Sequence, residues 1–270
     1  MHTARRNRIA IWLVSDRERI FEQVQKLLDS RAGCRHTSLE HVQFMPSEIL
    51  TPKAEATASR ILEAALDLFR RQGFDSTTMR DIAREAEVAT GGAYYYYPTK
   101  DAIVLEFYRR SCDAMQAGIE NALTEAKTLE AGLSVLIQAK LNHFAPHRDV
   151  LRALLRNGAD PSYPVSPFSA ETKPIRNIDL QWFRRLVTSS NIRTPKDLRP
   201  HLPMVLWFFQ MGVIFFWITD DSRNQERTGR LLPLACKIVA TLIRLSSLPL
   251  MRPLRRPLVE LIDIAIGAHA

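Results

Sequence analysis

Thr78, Arg80, Thr90, Gly91, Gly92, Tyr94, Tyr95, Tyr96 and Lys100 gather hydroxyls, phenols, two cations and two glycines into 23 positions of a 270-residue chain. The tyrosines and the lysine suit a nucleic-acid duplex: a phenol offers flat apolar area to thymine methyls and an OH to a phosphate oxygen, and an ammonium at a helix start favours phosphate. Gly91 and Gly92 each weaken a helix by about 1 kcal/mol relative to alanine, which calls for a reason such as close approach of another backbone. Duplex phosphate is the expected approacher. Enzyme chemistry has no comparable set, since the chain lacks a Gly-x-Ser-x-Gly elbow, a phosphate loop and paired histidine ligands. His143 and His147 stand four apart, but Pro146 between them spoils the helix that would align them, so they read as capping or surface histidines. No metal and no cofactor is expected.

The elements that must position this set are short. Residues 77–100 read as two helices around a tight turn, a helix-turn-helix. Thr78 followed by Asp81 has the capping-box form and starts the first helix, whose apolar stripe is Ile82, Ala83 and Ala86. Val88 follows the turn and can plug the angle between the helices. At 100° per residue Ala93 and Tyr97 share a face, leaving Tyr95 and Tyr96 turned elsewhere. Pro98 ends this helix, and Thr99 caps the next, placing Lys100 at a phosphate-accepting N-terminus. Upstream, Ala58, Ile61, Leu62, Ala65, Leu66 and Phe69 recur at helical spacing until Gly73 stops the helix.

The helix ending at Gly73, then Thr77-Thr78, Ile82-Ala83, Ala86, Val88, Gly91, Tyr94, an aromatic at 97 and Thr99-Lys100-Asp101, resembles the N-terminal signature of the TetR family of bacterial repressors. The match covers roughly residues 56–108. It implies an all-α protein: an N-terminal three-helix helix-turn-helix domain, then a larger all-helical ligand-binding and dimerisation domain. It further implies a homodimer on a palindromic double-stranded DNA operator, released by a small-molecule effector. Carried over by position, Arg80, Thr90, Gly91, Gly92 and Tyr94 resemble base-facing positions, and Tyr95, Tyr96 and Lys100 phosphate contacts; Thr78 joins the set at the helix start. Glu87 stands where the family usually has a glycine in the turn, and Ala89 replaces the usual serine cap.

Composition allows this without requiring it. The net charge is +8, yet residues 53–110 hold nine Lys/Arg and nine Asp/Glu, so the DNA-binding segment is formally neutral. Affinity must then come from placed contacts and helix-end dipoles. Three widely spaced cysteines, Cys34, Cys112 and Cys236, suit a reducing cytoplasm, and the apolar stretch at 9–14 is short for a signal peptide.

The expected domain boundaries are 1–50, 53–100, 101–248 and 249–270. Residues 1–50 resemble one strand-helix unit that alone cannot bury both faces, which leaves open an adhering arm, a disordered tail and translated upstream sequence. A start at Met45 would leave 226 residues, a length similar to ordinary members of the family. Beyond Thr99 a helix of about seven turns is expected, then helices at 129–144 and 149–156, a loop at 158–174 able to gate a pocket, and a helix near 175–190. Leu202–Ile218 is apolar enough to weigh as a membrane span, which would make the protein a membrane-associated sensor, but its Gln210 and preceding prolines favour a buried helix. With the amphipathic helix at 231–243 it is expected to form a four-helix dimer interface. Trp182, Phe183, Phe208, Met211 and Phe215 are the candidates to line a pocket for a lipophilic effector. The tail is expected to form a short helix, Leu258 to Ile266, docked on its own domain. Whether such a regulator represses or activates depends on operator placement.

Overall fold

A computed structural model describes residues 51–154, 158, 160–190 and 192–267, with side chains to residue 264. The strand-helix unit expected in residues 1–50 lies outside them. All regular structure among the described residues is helical: α1 (Pro52–Gln72), α2 (Met79–Glu85), α3 (Thr90–Tyr96), α4 (Lys100–Glu125), α5 (Leu129–Phe144), α6 (Arg148–Leu154), α7 (Lys173–Ser189), α8 (Leu202–Thr219), α9 (Glu226–Ser246) and α10 (Arg252–Gly267).

Local chemistry sets the boundaries near the N-terminal helices. α1 buries Ala58, Ile61, Leu62, Ala65, Leu66 and Phe69, and ends where Gly73 turns to φ +86°. That left-handed residue donates its amide to the Phe69 carbonyl at 3.0 Å, satisfying a helix-end acceptor. Thr99 caps α4 by accepting from the Ala102 amide, and the 26 residues of α4 span about 39 Å at the usual helical rise. α4 therefore serves both halves of the fold. Ile103, Val104 and Phe107 are buried toward its start, and Met115, Ile119 and Leu123 further along.

An ion network clamps α4 to α1. Arg110 donates to Glu106 of its own helix and to Glu55 and Ser59 of α1, each at 2.7 Å, while Arg109 holds the other Glu106 oxygen at 2.8 Å. Burial alone would raise the Glu106 carboxyl, but the hydrogen bonds from Arg109 and Arg110 hold it below its ordinary value. A depressed carboxyl pKa contributes stability that is present above the unfolded pKa near 4.5 and is lost as pH falls through the folded value. The urea midpoint of Glu106→Gln should fall below that of the wild type at pH 7. The gap should narrow as pH drops below about 4.5; a gap independent of pH would contradict the ionised brace.

α8 is long and apolar enough to cross a membrane, but half of it is buried against the rest of the fold. Its C-terminal carbonyls are held by cations, as a helix's negative end favours. Arg148 Nε donates to Trp217 O at 3.1 Å and Arg152 Nη2 to Ile218 O at 2.9 Å, and Arg148 also binds the Asp220 carbonyl.

The apolar surface that the expected four-helix interface calls for is distributed unequally between its two helices. None of the exposed large apolar side chains lies on α8; in the C-terminal part they cluster on α9 and α10. α9 buries Leu232, Cys236, Ala240 and Ile243 on its own domain, while Leu234, Ile238, Leu242 and Leu245 form a second, exposed stripe. The amphipathic helix expected at 231–243 therefore carries apolar side chains on two faces. α10 begins six residues before the expected Leu258, because Pro253 falls in its first turn, where the missing N–H costs nothing. It docks through Val259 and Ile262, with Arg255 near Asp197 at 3.4 Å, and leaves Leu254, Leu258, Leu261 and Ile264 exposed.

Candidate functional site

The helix-turn-helix is α2, a tight turn and α3. Thr78 caps α2 reciprocally: its hydroxyl accepts from the Asp81 amide at 3.2 Å, and Asp81 accepts from the Thr78 amide at 3.1 Å. The turn places Glu87 at φ +53°, and Ala89 at the start of α3 offers no side-chain cap. Both sequence departures thus have a local geometric consequence.

α3 divides its aromatic run by face. Ala93 is fully buried and Tyr97 is 5% exposed, its hydroxyl donating to the Ala58 carbonyl at 3.3 Å; burial pushes its phenol up to about 12. Tyr94 and Tyr95 are 49% and 75% exposed, and Tyr96 is half-buried with its ring set edge-on to Tyr95 at 5.3 Å. Arg80, Thr90 and Gly91 are exposed beside them. A methyl group built on Gly91 or Gly92 would meet no atom within 4 Å, so intramolecular packing does not demand glycine at either position.

Lys100 sits differently from the other candidates. Its ammonium donates to Phe74 O at 2.7 Å and Asp75 O at 3.4 Å and lies 4.5 Å from the Phe74 ring centre. It fastens α4 to the loop after α1, which leaves one ammonium proton for an outside acceptor.

In the C-terminal half α4 to α8 enclose a cavity of about 860 Å³ counting its open mouth. Apolar side chains such as Phe144, Leu151, Met211 and Phe215 dominate the walls. Of the five residues expected there, Met211 and Phe215 line it, and Trp182, Phe183 and Phe208 do not. The cavity meets the first half of α7, through Ile175, Arg176 and Asp179, one turn short of Trp182 and Phe183, which are buried in the core. On α8 the lining face carries Trp207, Met211, Ile214, Phe215 and Ile218; Phe208 is turned off it and stacks on Phe168 at 6.0 Å. Sequence reading missed Lys140, Arg176 and Asp179. Each is a charged residue inside an apolar helical stripe, and that was the available signal.

The loop expected to gate a pocket lies over this cavity, contributing Val165 and Pro167 to its wall. Its buried hydroxyls are bonded, Ser166 to Gly158 O at 2.8 Å and Thr172 to Ser166 O at 2.8 Å. Tyr163 of the same loop meets the Phe74 ring edge-on at 6.4 Å. One loop therefore touches both the cavity and the anchor of Lys100.

Residues 61–107 match the bacterial regulatory proteins of the tetR family, and residues 133–265 match the tetracyclin repressor-like C-terminal domain. The HTH-type transcriptional regulator SrpR of Pseudomonas putida is 30% identical over 196 residues, which cover 71% of this chain and 87% of SrpR. The chain belongs to the TetR family. Its likeness to another relative, the uncharacterized regulator YuxN of Bacillus subtilis, is 28% identity over 101 residues, 37% of this chain and about a third, 35%, of YuxN. A putative TetR-family regulator from Syntrophomonas wolfei superimposes with a TM-score of 0.55 at 18% identity, covering 69% of this chain and 96% of that one, a likeness of fold.

Within a TetR-family turn, the left-handed Glu87 should be costly. Glu87→Gly is expected to raise stability by about 1 kcal/mol, because a glycine carries no Cβ penalty at φ +53°. Denaturant titration checks this, and a loss of stability would show that the Glu87 side chain contributes more than the turn costs.

Proposed function

We propose that this chain is a homodimeric, sequence-specific DNA-binding repressor, acting in the cytoplasm and released from a palindromic operator by a small, largely apolar effector in the cavity. Residues 53–100 form its DNA-binding domain, 101–248 the effector and dimerisation domain, and 249–270 a tail that extends the dimer face. The observation that carries this is the outer face of α3: threonine, two glycines and two exposed tyrosines on a helix whose opposite face is fully packed. Open space around Gly91 and Gly92 supports close approach by a partner's backbone, for which duplex phosphate is the fitting chemistry. Arg80, Thr90, Gly91, Gly92 and Tyr94 then face bases, Tyr95 and Tyr96 face phosphates, and Thr78 fixes the start of α2.

Release has a physical route. The cavity loop carries Tyr163 against Phe74, whose carbonyl holds Lys100. An effector that shifts this loop would act on α1 and α4 together, and with them on the spacing of the two reading helices.

Tyr94→Ala tests the reading face. It should weaken binding to the operator by about 5- to 150-fold, the value of about one to three kcal/mol in base contacts, without changing the helical circular dichroism signal. Unchanged affinity would remove α3 from the interface.

A further inference from the structure

Arg176 is a buried cation with no counter-charge among the described residues. It stands in the first turn of α7 and is 6% exposed. Its Nη1 donates to Pro167 O at 2.7 Å, to Ser169 O at 3.2 Å and to Thr172 Oγ1 at 3.4 Å, and its guanidinium carbon lies 5.7 Å from the Trp207 ring centre. Among the described residues no carboxylate pairs with it, and the hydrogen bonds it makes within the fold leave from Nη1. The positive end of α7 adds to its charge rather than cancelling it.

The other two charges of the cavity cancel each other. Lys140 Nζ and Asp179 Oδ1 are 2.5 Å apart, and Asp179 Oδ2 accepts from Gln210 Nε2 at 3.0 Å. Lys140, Asp179 and Arg176 all line the cavity, so its apolar walls enclose a net charge of one positive unit. A buried charge in such surroundings is costly until it is paired.

We propose that the cavity binds an amphiphilic monocarboxylate, its carboxylate on the Nε and Nη2 edge of Arg176 and its apolar body among Phe144, Leu151, Met211, Phe215 and Ile218. The guanidinium edge presents two parallel donors at the spacing of two carboxylate oxygens. A single negative charge balances the cavity, whereas a phosphate monoester with about two would leave an excess. A neutral hydrocarbon would fill the walls and leave Arg176 unpaired. This inference rests on the cavity being the effector site.

The test is calorimetric titration of the full chain with decanoate and with decanol, which share the chain and differ in head-group charge. Decanoate should bind at least about tenfold more tightly, the value of a charge-assisted hydrogen-bonded pair. Arg176→Met should abolish that preference while retaining decanol. Because Arg176 also holds loop carbonyls, the wild-type comparison stands alone should the variant not fold. Decanol binding as tightly as decanoate, or neither binding, would overturn the proposal. Decanoate bound with the expected preference but without effect on operator affinity would leave the site intact and refute its effector role. Operator release by decanol alone would do the reverse.

Discussion

Replacing Lys140 by methionine is expected to destabilise the protein by about 3–5 kcal/mol, the cost of stranding a buried carboxylate. The Lys140 and Asp179 side chains are only 4% and 9% exposed although both line the cavity, and the ammonium also lies 5.2 Å from the Trp182 ring centre. The remaining Asp179 would keep only the Gln210 amide, whose own Oε1 has no hydrogen-bond partner. Lys140→Met combined with Asp179→Leu should lose less than Lys140→Met alone, because both charges leave together and the residual cost is about 1–3 kcal/mol for the unpaired Gln210 amide. Urea unfolding of the two variants closes the comparison. A loss below about 1 kcal/mol for Lys140→Met would show that water reaches Asp179.

The second large effect concerns the exposed stripe of α9. Leu234, Ile238, Leu242 and Leu245 are 62%, 59%, 59% and 44% exposed and follow one another at spacings of three and four. With the free face of α10 they form an apolar surface suited to an identical copy. Ile238→Glu together with Leu242→Glu should sediment as a single chain at concentrations where the wild type pairs, since burying two carboxylates at a shared surface is prohibitive. Affinity for an inverted repeat should then fall by about 100-fold or more, because the second half-site is no longer engaged within one complex. Affinity for an isolated half-site should not change. Undiminished pairing would place the interface elsewhere.

The DNA-binding half was legible because its signals are local. Thr78 with Asp81, Gly73, Pro98 and Thr99 each fix one helix end through a neighbour within a few residues, and the burial of Ala93 and Tyr97 follows from helical spacing alone. Glu87 needed only a familiar turn to expose its conflict. The C-terminal half was less legible because its helices are apolar on more than one side. On α9 no single-sequence pattern separates a stripe facing the core from one facing outward, so spacing alone does not tell exposed Leu234 and Ile238 from buried Leu232 and Ile243. On α7 and α8 the aromatic pattern points to Trp182, Phe183 and Phe208, while the cavity is set by where helices diverge, a tertiary fact. Arg176 and Asp179 carried the better signal, since charge within an apolar stripe has to be matched by something.

Selection of bound duplexes from a random pool, with the full chain at moderate salt, tests the central claim most directly. Two copies of α3 related by a two-fold axis should enrich an inverted repeat with half-site centres roughly one duplex turn, about 34–36 Å, apart or somewhat more. Folded, dimeric protein that enriches no sequence, or enriches a motif without two-fold symmetry, would contradict it.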